Sequence, residues 1–304
     1  MGTVLKRWWN SDLCWSWRHA PVAMVATVVL LVLLGGSFGA GWVAPHNPFD
    51  LASIELLDAL LPPVWEDNGS AKYLLGTDSQ GRDLYSALLY GMRVSLLIGL
   101  ASVVVSMLLG IVLGLLSGYV GGRVDAFIMR VADVQLSFPA ILIALLIDGV
   151  ARAAVPRELH EVIAFPVLIG AIALAGWPQY ARTVRGSTLV EKNREYVQAA
   201  RVIGVSSPAI MFQHVLPNVM GPVLVLATVH LATAIITEAT LSFLGVGVPP
   251  TSPSLGTLIR IGNDFLFSGE WWITIFPGAA LVLLVLSVNL VGDWLRDALN
   301  PRLN

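Results

Sequence analysis

The sequence has 304 residues, of which 56% are hydrophobic and only 12% are charged, and its formal net charge is −2. Soluble domains carry roughly twice that share of charged residues, so the composition excludes a soluble globular protein and predicts an integral membrane protein. The small net charge gives no reason to expect a nucleic-acid partner, and we expect none. The single cysteine, Cys14, cannot form an internal disulfide and is assigned no role.

The first 44 residues predict an interfacial segment that leads into a membrane span. Three basic residues accompany four tryptophans before residue 20, and tryptophan rings favour the headgroup layer. Residues 22–43 contain no charged side chain and are long enough, at about 1.5 Å per residue, to cross about 30 Å of hydrocarbon. A cleaved signal peptide is the alternative, but the apolar run is too long for one.

Residues 45–92 predict an extramembrane segment, because prolines and acidic residues interrupt the apolar pattern. The segment contains a glycine-bounded stretch at residues 76–83, in which Asp83 is a candidate to pair with Arg82 or Arg93. Aspartates beside an arginine could hold a cation, but a hydrogen-bonded loop is the commoner use of such a stretch. We therefore expect a loop.

Five further apolar runs predict five more spans, which gives six transmembrane helices in an all-α fold. They cover residues 94–122, 125–147, 162–181, 221–243 and 271–292. In the third run, Arg130 and Asp133 lie at i, i+3 and are expected to neutralise each other. Pro166 and Pro178 are expected to kink or bound the fourth.

Basic residues predict the orientation of the spans. If the N-terminus is cytoplasmic, twelve Lys and Arg residues fall on cytoplasmic segments and six on external ones. Basic residues accumulate on the cytoplasmic side, so both termini are expected there. The chain then divides into residues 1–44 with the first span, an external segment at 45–92, and a core at 93–304. The core contains five spans and a cytoplasmic loop at about 182–220.

A short helix is predicted within that loop, beginning at Glu195. Four residues fall at i, i+3, i+4 and i+7 and give one low-profile apolar face: Tyr196, Ala199, Ala200 and Ile203. Gln198 and Arg201 point away from this face. Two alanines on a contact face allow another molecule to approach closely, although spacing alone is equally compatible with an ordinary surface helix.

A turn and a second helix are predicted to follow. Gly204 can adopt the left-handed conformation that ends a helix. Ser207 can accept a hydrogen bond from the free N–H groups of the next helix, and Pro208 suits its first position. The second helix is expected to stop near Pro217.

This loop resembles the coupling loop of permease subunits of ATP-driven (ABC) importers. The resemblance rests on Ala199-Ala200, on Gly204, and on the Leu216-Pro217 pair about a dozen residues later. In that family the pattern begins with Glu-Ala-Ala, and here Gln198 replaces the glutamate. His214 stands where the family usually has an aliphatic residue.

Other stretches are similar to the dipeptide, oligopeptide and nickel permease group. They cover most of the chain from about residue 70 onward, and they are most similar to the C-type subunit of the dipeptide permease. They are residues 75–83, 90–96, 118–122, 241–250 and 292–297. The resemblance implies the type I ABC importer permease fold, with a periplasmic insertion between the first two helices, in a bacterial inner membrane.

The resemblance also implies partners and site residues. The partners are a second homologous permease in a heterodimer, one or two kinds of ABC ATPase, a periplasmic or lipid-anchored substrate-binding protein, and membrane lipid. ATP and magnesium would bind to the ATPases, and no cofactor is expected in this chain. The coupling residues would be Glu195, Tyr196, Gln198, Ala199, Ala200, Ile203, Gly204 and Pro217.

The residues themselves give no sign of an enzyme. The three lysines follow Leu5, Ala71 and Glu191, so no Gly-Lys-Ser/Thr phosphate loop exists. The pair His160-Glu161 does not continue to a zinc motif, because position 164 is alanine. No catalytic residue and no metal site are predicted.

Polar residues within the fifth span are the remaining functional candidates. Glu238 and Thr237 lie together, and His230 lies two turns earlier. Polar groups are costly in a membrane unless they are paired or face water, so these three are candidates for a translocation path or gate. The alternative for Glu238 is a structural hydrogen bond between helices.

Three functions remain open from the sequence. The first is a permease subunit that imports dipeptides or oligopeptides. The second is the same kind of complex with nickel or another peptide-like cargo. The third is an ATP-independent secondary transporter, against which stand the lack of an internal repeat and the few ionisable groups within the spans.

Overall fold

The computed structural model describes residues 12–50, 54–249 and 251–298. Within these ranges the regular elements are helices, apart from one isolated bridge between Thr77 and Asp83. The expectation of an all-α fold is confirmed. Parts of the sequence patterns lie outside the described residues, namely Lys6, Arg7, Trp8, Trp9, Pro250 and Arg302.

Twelve α-helices are described. They are α1 (Asp12–Arg18), α2 (Pro21–Phe38), α3 (Ala40–Val43), α4 (Leu84–Val120), α5 (Gly122–Leu136), α6 (Ala140–Ala154), α7 (His160–Glu191), α8 (Glu195–Val202), α9 (Ser207–Ala209), α10 (Leu216–Phe243), α11 (Leu255–Asn263) and α12 (Trp272–Ala298). Single 3₁₀ turns occur at Leu56–Asp58 and Arg157–Leu159, and a π-helical segment at Ile210–Val215.

Five continuous stretches are long and apolar enough to cross a membrane, and the α5–α6 pair makes a sixth if it counts as one span. The continuous stretches are Pro21–Phe38, Leu84–Val120, Arg157–Glu191, Ser207–Phe243 and Trp272–Ala298. They correspond to the first, second, fourth, fifth and sixth predicted spans.

The third predicted span is not one straight helix. The chain bends by 94° between α5 and α6, at residues 137–139. Pro139 has no N–H to donate and disfavours a helical conformation at Phe138, and at this proline the helix ends. The Ser137 hydroxyl donates to the Asp133 carbonyl at 2.9 Å and closes the last turn of α5.

Three helix ends differ from the expected ones. α4 begins at Leu84 and not at residue 94, because the Asp83 carboxylate accepts the Ser86 N–H at 3.0 Å and caps the helix. α7 runs through Pro166 and Pro178 to Glu191. The connection between α7 and the helical stretch that starts at Ser207 is therefore residues 192–206.

Pro217 does not end the second helix, contrary to the expectation. The chain stays helical from Ser207 to Phe243, and Pro217 lies in the first turn of α10, directly after the π-helical segment. A proline lacks the N–H of a regular helix and crowds the carbonyl four residues earlier. The wider π turn removes this conflict, so the helix continues.

Among the described helices, α4 and α7 share the most extensive contact. Gly110, Gly114 and Gly118 lie one turn apart on α4, and a Cβ at Gly110 would lie 2.2 Å from the Cβ of Tyr180. A Cβ at Gly114 would lie 2.6 Å from the Ala181 carbonyl oxygen. Small residues four apart let two membrane helices approach backbone to backbone, where van der Waals packing drives association.

The stretch at residues 76–83 forms a hydrogen-bonded loop, as expected. Asp78 pairs with Arg82 at 2.6 Å in a buried ion pair, whereas Asp83 caps α4, so neither expected pairing of Asp83 forms. Outside this stretch, Tyr73 and Lys72 donate hydrogen bonds to the Asp58 carboxylate and hold the pKa of Asp58 below its usual value.

The short helix α11 was not anticipated. It lies between α10 and α12 and is capped by the Ser254 hydroxyl, which accepts the Thr257 N–H at 3.3 Å. Leu255 and Leu258 are buried in a cluster with side chains of α4, α10 and α12. This helix closes the end of the bundle opposite α8.

Candidate coupling helix and intramembrane groove

The helix α8 forms as predicted and ends as predicted. Gly204 has φ of +83°, and the Val205 N–H donates to the Ala200 carbonyl at 3.0 Å across the turn. This geometry is that of a glycine cap, which a residue with a Cβ would adopt only under strain. The connection therefore reverses direction within residues 203–206.

The expected four-residue face of α8 is divided in the structure. Ala200 is only 3% exposed and packs with Val197 in a cluster that includes Tyr180 and Val184 of α7. Tyr196, by contrast, is exposed, as are the other two members of the face, Ala199 and Ile203. Because a surface helix must bury its most apolar side against its own protein, Val197 and Ala200 take that side. Ala200 thus faces inward, and its assignment to an outward docking face was wrong.

An apolar pair is exposed at the end of α8. Val202 and Ile203 are 86% and 79% exposed. Neighbouring exposed aliphatic side chains on a short, well-held helix are typical of an interaction surface, since they gain free energy only when a partner covers them. Val202 had not been singled out in the sequence, because its position does not match the i, i+3, i+4 pattern.

A phenol joins α8 to two long helices. The Tyr196 hydroxyl donates to Glu191 Oε2 at the end of α7 at 2.7 Å and accepts from Asn218 Nδ2 at the start of α10 at 3.2 Å. Burial, together with the hydrogen bond to Glu191, raises the pKa of Tyr196 to about 12. On the other side of α8, the Arg201 guanidinium lies 5.0 Å from the centre of the Tyr119 ring of α4.

Ionic contacts tie the same ends of the long helices together. Lys192 Nζ donates to the Gly118 carbonyl of α4 at 2.7 Å. Arg185 of α7 makes two hydrogen bonds with the Asp125 carboxylate of α5, at 2.5 and 2.6 Å. The expected pairing of Asp133 with Arg130 is wrong, because Asp133 pairs with Arg182 of α7.

A polar groove lies further along the same helices, between α4, α7 and α10. His230 and Thr237 both line it, as do four other polar residues: Ser102, Ser106, Gln179 and Thr233. His230 Nε2 and Gln179 Oε1 are hydrogen-bonded at 2.6 Å. Ala140, the first residue after the break between α5 and α6, also borders the groove.

Glu238 does not line this groove. Its side chain is fully buried and accepts the Ser242 hydroxyl at 2.7 Å. Ser95 of α4 and Ser254 at the start of α11 also lie beside the carboxyl. Glu238 therefore connects α4, α10 and α11, which favours the structural alternative for this residue over a place in the path.

The sequence also contains a Gly-x-Ser-x-Gly stretch at residues 35–39, the pattern of a hydrolase nucleophile elbow. An elbow needs a turn from strand to helix that exposes the serine. Ser37 is instead buried in α2, and its hydroxyl donates to the Leu34 carbonyl at 3.1 Å. The stretch therefore belongs to helix packing and not to catalysis.

Comparison with known proteins decides the family. The family of binding-protein-dependent transport system inner membrane components matches residues 110–304. The chain belongs to this family. It is therefore a multi-pass inner membrane permease subunit of an ABC importer, in which ATP hydrolysis belongs to separate ATPase subunits, and the class also works with a substrate-binding protein. The alternative of an ATP-independent secondary transporter is excluded.

Two curated relatives are similar over nearly their whole length. The "Di/tripeptide transport system permease protein DppC" of Pseudomonas aeruginosa is 41% identical over 98% of this chain and 92% of its own length. The "Dipeptide transport system permease protein DppC" of Escherichia coli K12 is 43% identical over 99% of this chain and 94% of its own. The expected resemblance to dipeptide permeases of the C type is confirmed.

The fold is also that of solved importer permeases. The chain resembles a chain of the MetNI methionine ABC transporter in an inward-facing conformation, with a TM-score of 0.55 and 19% sequence identity. The match covers 70% of this chain and 96% of the other one. At this identity the likeness shows the fold alone, and it confirms the expected type I permease architecture.

Proposed function

We propose that this permease imports dipeptides or short oligopeptides as one half of a heterodimeric pore. The relatives named for dipeptide and tripeptide transport are similar to it from end to end, which is the observation that favours peptides over nickel as cargo. The second half would be a homologous permease chain. A periplasmic or lipid-anchored binding protein would deliver the peptide at the end of the bundle that carries α11.

The proposal places both termini in the cytoplasm. In the described bundle α8 lies at the start of the fifth span, and the segment with α11 lies at the end of that span, so the two occupy opposite sides. With α8 on the cytoplasmic side, the segment at residues 45–83 is periplasmic. The basic residues near α8, among them Arg194 and Arg201, agree with this orientation.

Coupling to the ATPases would occur through α8. The outward surface consists of Glu195, Tyr196, Gln198, Ala199, Val202 and Ile203, and Val202 and Ile203 supply its apolar anchors. The other members of the expected set shape this surface: Ala200 packs underneath, Gly204 makes the turn, and Pro217 starts α10.

ATP and magnesium would bind to the ATPase subunits, and no cofactor is proposed for this chain. ATP binding would close the ATPases and move α8, and with it the long helices to which α8 is bonded. A ligand shifts a conformational equilibrium only if it favours one state, so the ATPases must bind ATP more tightly in one state of the permease. The cavity would open to the cytoplasm without ATP and to the periplasm when ATP is bound.

The coupling surface is tested with Ile203→Asp. A charge on a buried interface anchor costs about 2 kcal/mol or more, so we expect at least about a tenfold lower recovery of ATPase subunits with the tagged permease from native membranes in mild detergent. The partner permease should still be recovered. Phe267→Asp is the matched control, since Phe267 is 98% exposed at the opposite end of the bundle.

If Ile203→Asp recovers as much ATPase as the Phe267→Asp control does, the proposed coupling surface is wrong. Failure of the unchanged permease to bring out any ATPase would contradict the wider proposal.

A further inference from the structure

The groove between α4, α7 and α10 has a distinctive hydrogen-bonding character. Most of its hydroxyl groups already donate their proton to the backbone. Ser106 Oγ donates to the Ala173 carbonyl at 2.9 Å, Thr233 Oγ1 to Val229 at 3.3 Å, and Thr237 Oγ1 to Thr233 at 2.8 Å. A hydroxyl whose proton is engaged in a hydrogen bond can still accept one through its lone pairs. These three side chains therefore present hydrogen-bond acceptors to the groove.

Ser102 is the exception. Its side chain is 1% exposed, and its Oγ has no hydrogen-bond partner among the residues that the structure describes. A buried hydroxyl without a partner is unfavourable by about 1–3 kcal/mol, and such a group is rare. Ser102 borders the groove, so a rotation of its buried side chain would bring this free proton to an acceptor that enters there.

The groove has His230 as the one titratable side chain among its described lining residues, and a missing side chain keeps it open. Among the described residues, no Asp, Glu, Lys or Arg lines it. Gly176 of α7 faces it, and a Cβ there would lie 2.7 Å from Ser106 Oγ and 3.5 Å from His230 Cε1. Any larger residue at position 176 would thus fill the space between these two side chains.

We infer that this groove is a binding subsite for the peptide group of the transported molecule. Acceptor oxygens of Ser106, Thr233 and Thr237 match an amide N–H, and the free hydroxyl of Ser102 matches an amide C=O. Among the described lining residues there is no Asp, Glu, Lys or Arg to pair with a charged terminus, and His230 is already hydrogen-bonded to Gln179, so a terminus would remain outside the groove. The inference rests on the proposed function and adds to it the part of the cargo that this chain contacts.

Such a subsite suits a transporter, because it binds the peptide specifically but weakly enough to release it. Neutral hydrogen bonds contribute only about 0.5–1.5 kcal/mol each after the loss of water, so a peptide group can enter and leave within one cycle. Because the peptide group is common to all peptides, these hydrogen bonds would form with a peptide of any sequence. Selection among peptides would then fall to other components of the complex.

The test uses the complete transporter with its binding protein in proteoliposomes. The probes are Ala-Ala and the same dipeptide methylated at its amide nitrogen, with their affinities for the binding protein measured separately. Thr237→Val removes one acceptor with little change in volume, and Ser102→Ala removes the free donor. Thr228→Val is the matched control, because Thr228 also donates to its own helix, at 2.8 Å, but faces Gly292 of α12.

We expect Thr237→Val to lower Ala-Ala uptake per ATP hydrolysed about three- to tenfold. The effect on the methylated peptide should be smaller, because its amide has no N–H to donate to the Thr237 oxygen. Ser102→Ala should slow both peptides, and Thr228→Val neither. Gly176→Ala, which fills the groove without removing a polar group, should also slow both and provides a second route if Thr237→Val does not assemble.

Uptake by the groove variants at the rate of the control would overturn the subsite. An equal loss for both peptides in Thr237→Val would show that its oxygen does not accept the amide N–H. If the unchanged transporter takes up neither peptide, the proposed function itself fails.

Discussion

The Tyr196 side chain joins α8 to two long helices. Its ring lies at the surface of α8, but its hydroxyl bonds to Glu191 of α7 and Asn218 of α10. The phenol must be protonated to donate to Glu191, and its pKa is raised to about 12. A raised pKa means that this stabilisation is fully present below the ordinary tyrosine pKa of about 10 and is lost as the pH rises through about 12.

Tyr196→Phe isolates the hydroxyl. The ring can still pack, so we expect the transporter to assemble with its ATPases, while peptide uptake per ATP hydrolysed falls severalfold because α8 is less firmly held. Each lost hydrogen bond is worth about 0.5–1.5 kcal/mol. The measurement is the ratio of uptake to ATP hydrolysis in proteoliposomes.

Asn193→Ala is a suitable control for Tyr196→Phe, since Asn193 is exposed beside α8 and, among the described residues, its side chain bonds only to the Leu189 carbonyl, at 3.0 Å. An unchanged ratio in Tyr196→Phe would mean that the hydroxyl does not transmit the motion.

Single residues also show where sequence patterns stop being informative. The cap at Gly204 was predictable, because a left-handed turn after a helix calls for glycine. The inward position of Ala200 was not, since Val197 and Tyr196 give equally plausible apolar faces until the neighbouring helices are known. Glu238 was recognisable as exceptional, but only its contacts distinguish a connection between helices from a place in the groove.

At the scale of the helix, the glycines of α4 set the distance to α7. Their four-residue spacing is visible in the sequence and could have predicted a close helix pair, although not which helix would be the partner. Helix existence followed well from apolar runs, because length and hydropathy decide insertion. The break at Pro139 could not be predicted from the sequence, since Pro166, Pro178 and Pro222 lie within continuous helices of the same chain. Neighbouring helices decide whether a proline kinks or ends a helix.

Gly114→Val tests this close packing. A valine at position 114 would meet the Ala181 carbonyl and the Val184 side chain, so α4 and α7 must move apart. We expect a loss of about 3 kcal/mol or more, and a Tm of the purified chain that is lower by about 5–10 °C.

Gly186→Ala in α7 is the control, because a Cβ there meets nothing within 4 Å and alanine favours the helix. A Tm for Gly114→Val equal to that of Gly186→Ala would contradict the packing.

At the scale of the molecule, the helices that hold α8 are the helices that line the groove. α8 bonds to α7 and α10 through Tyr196 and contacts α4 through Arg201. The groove lies between these same three helices. A displacement of α8 therefore has a direct mechanical route to the groove through rigid helices, without a chain of intermediate loops. The family assignment supplies the ATPase that would cause the displacement.

The most direct test of ATP-driven alternating access uses a cysteine in the groove. Thr233→Cys in a Cys14→Ser background places one thiol there, and a membrane-impermeant maleimide reports the side from which it can be reached. The account predicts labelling from the cytoplasmic side without nucleotide, and from the periplasmic side when the complete transporter holds a non-hydrolysable ATP analogue and its binding protein. Labelling from the same side under both conditions would contradict it.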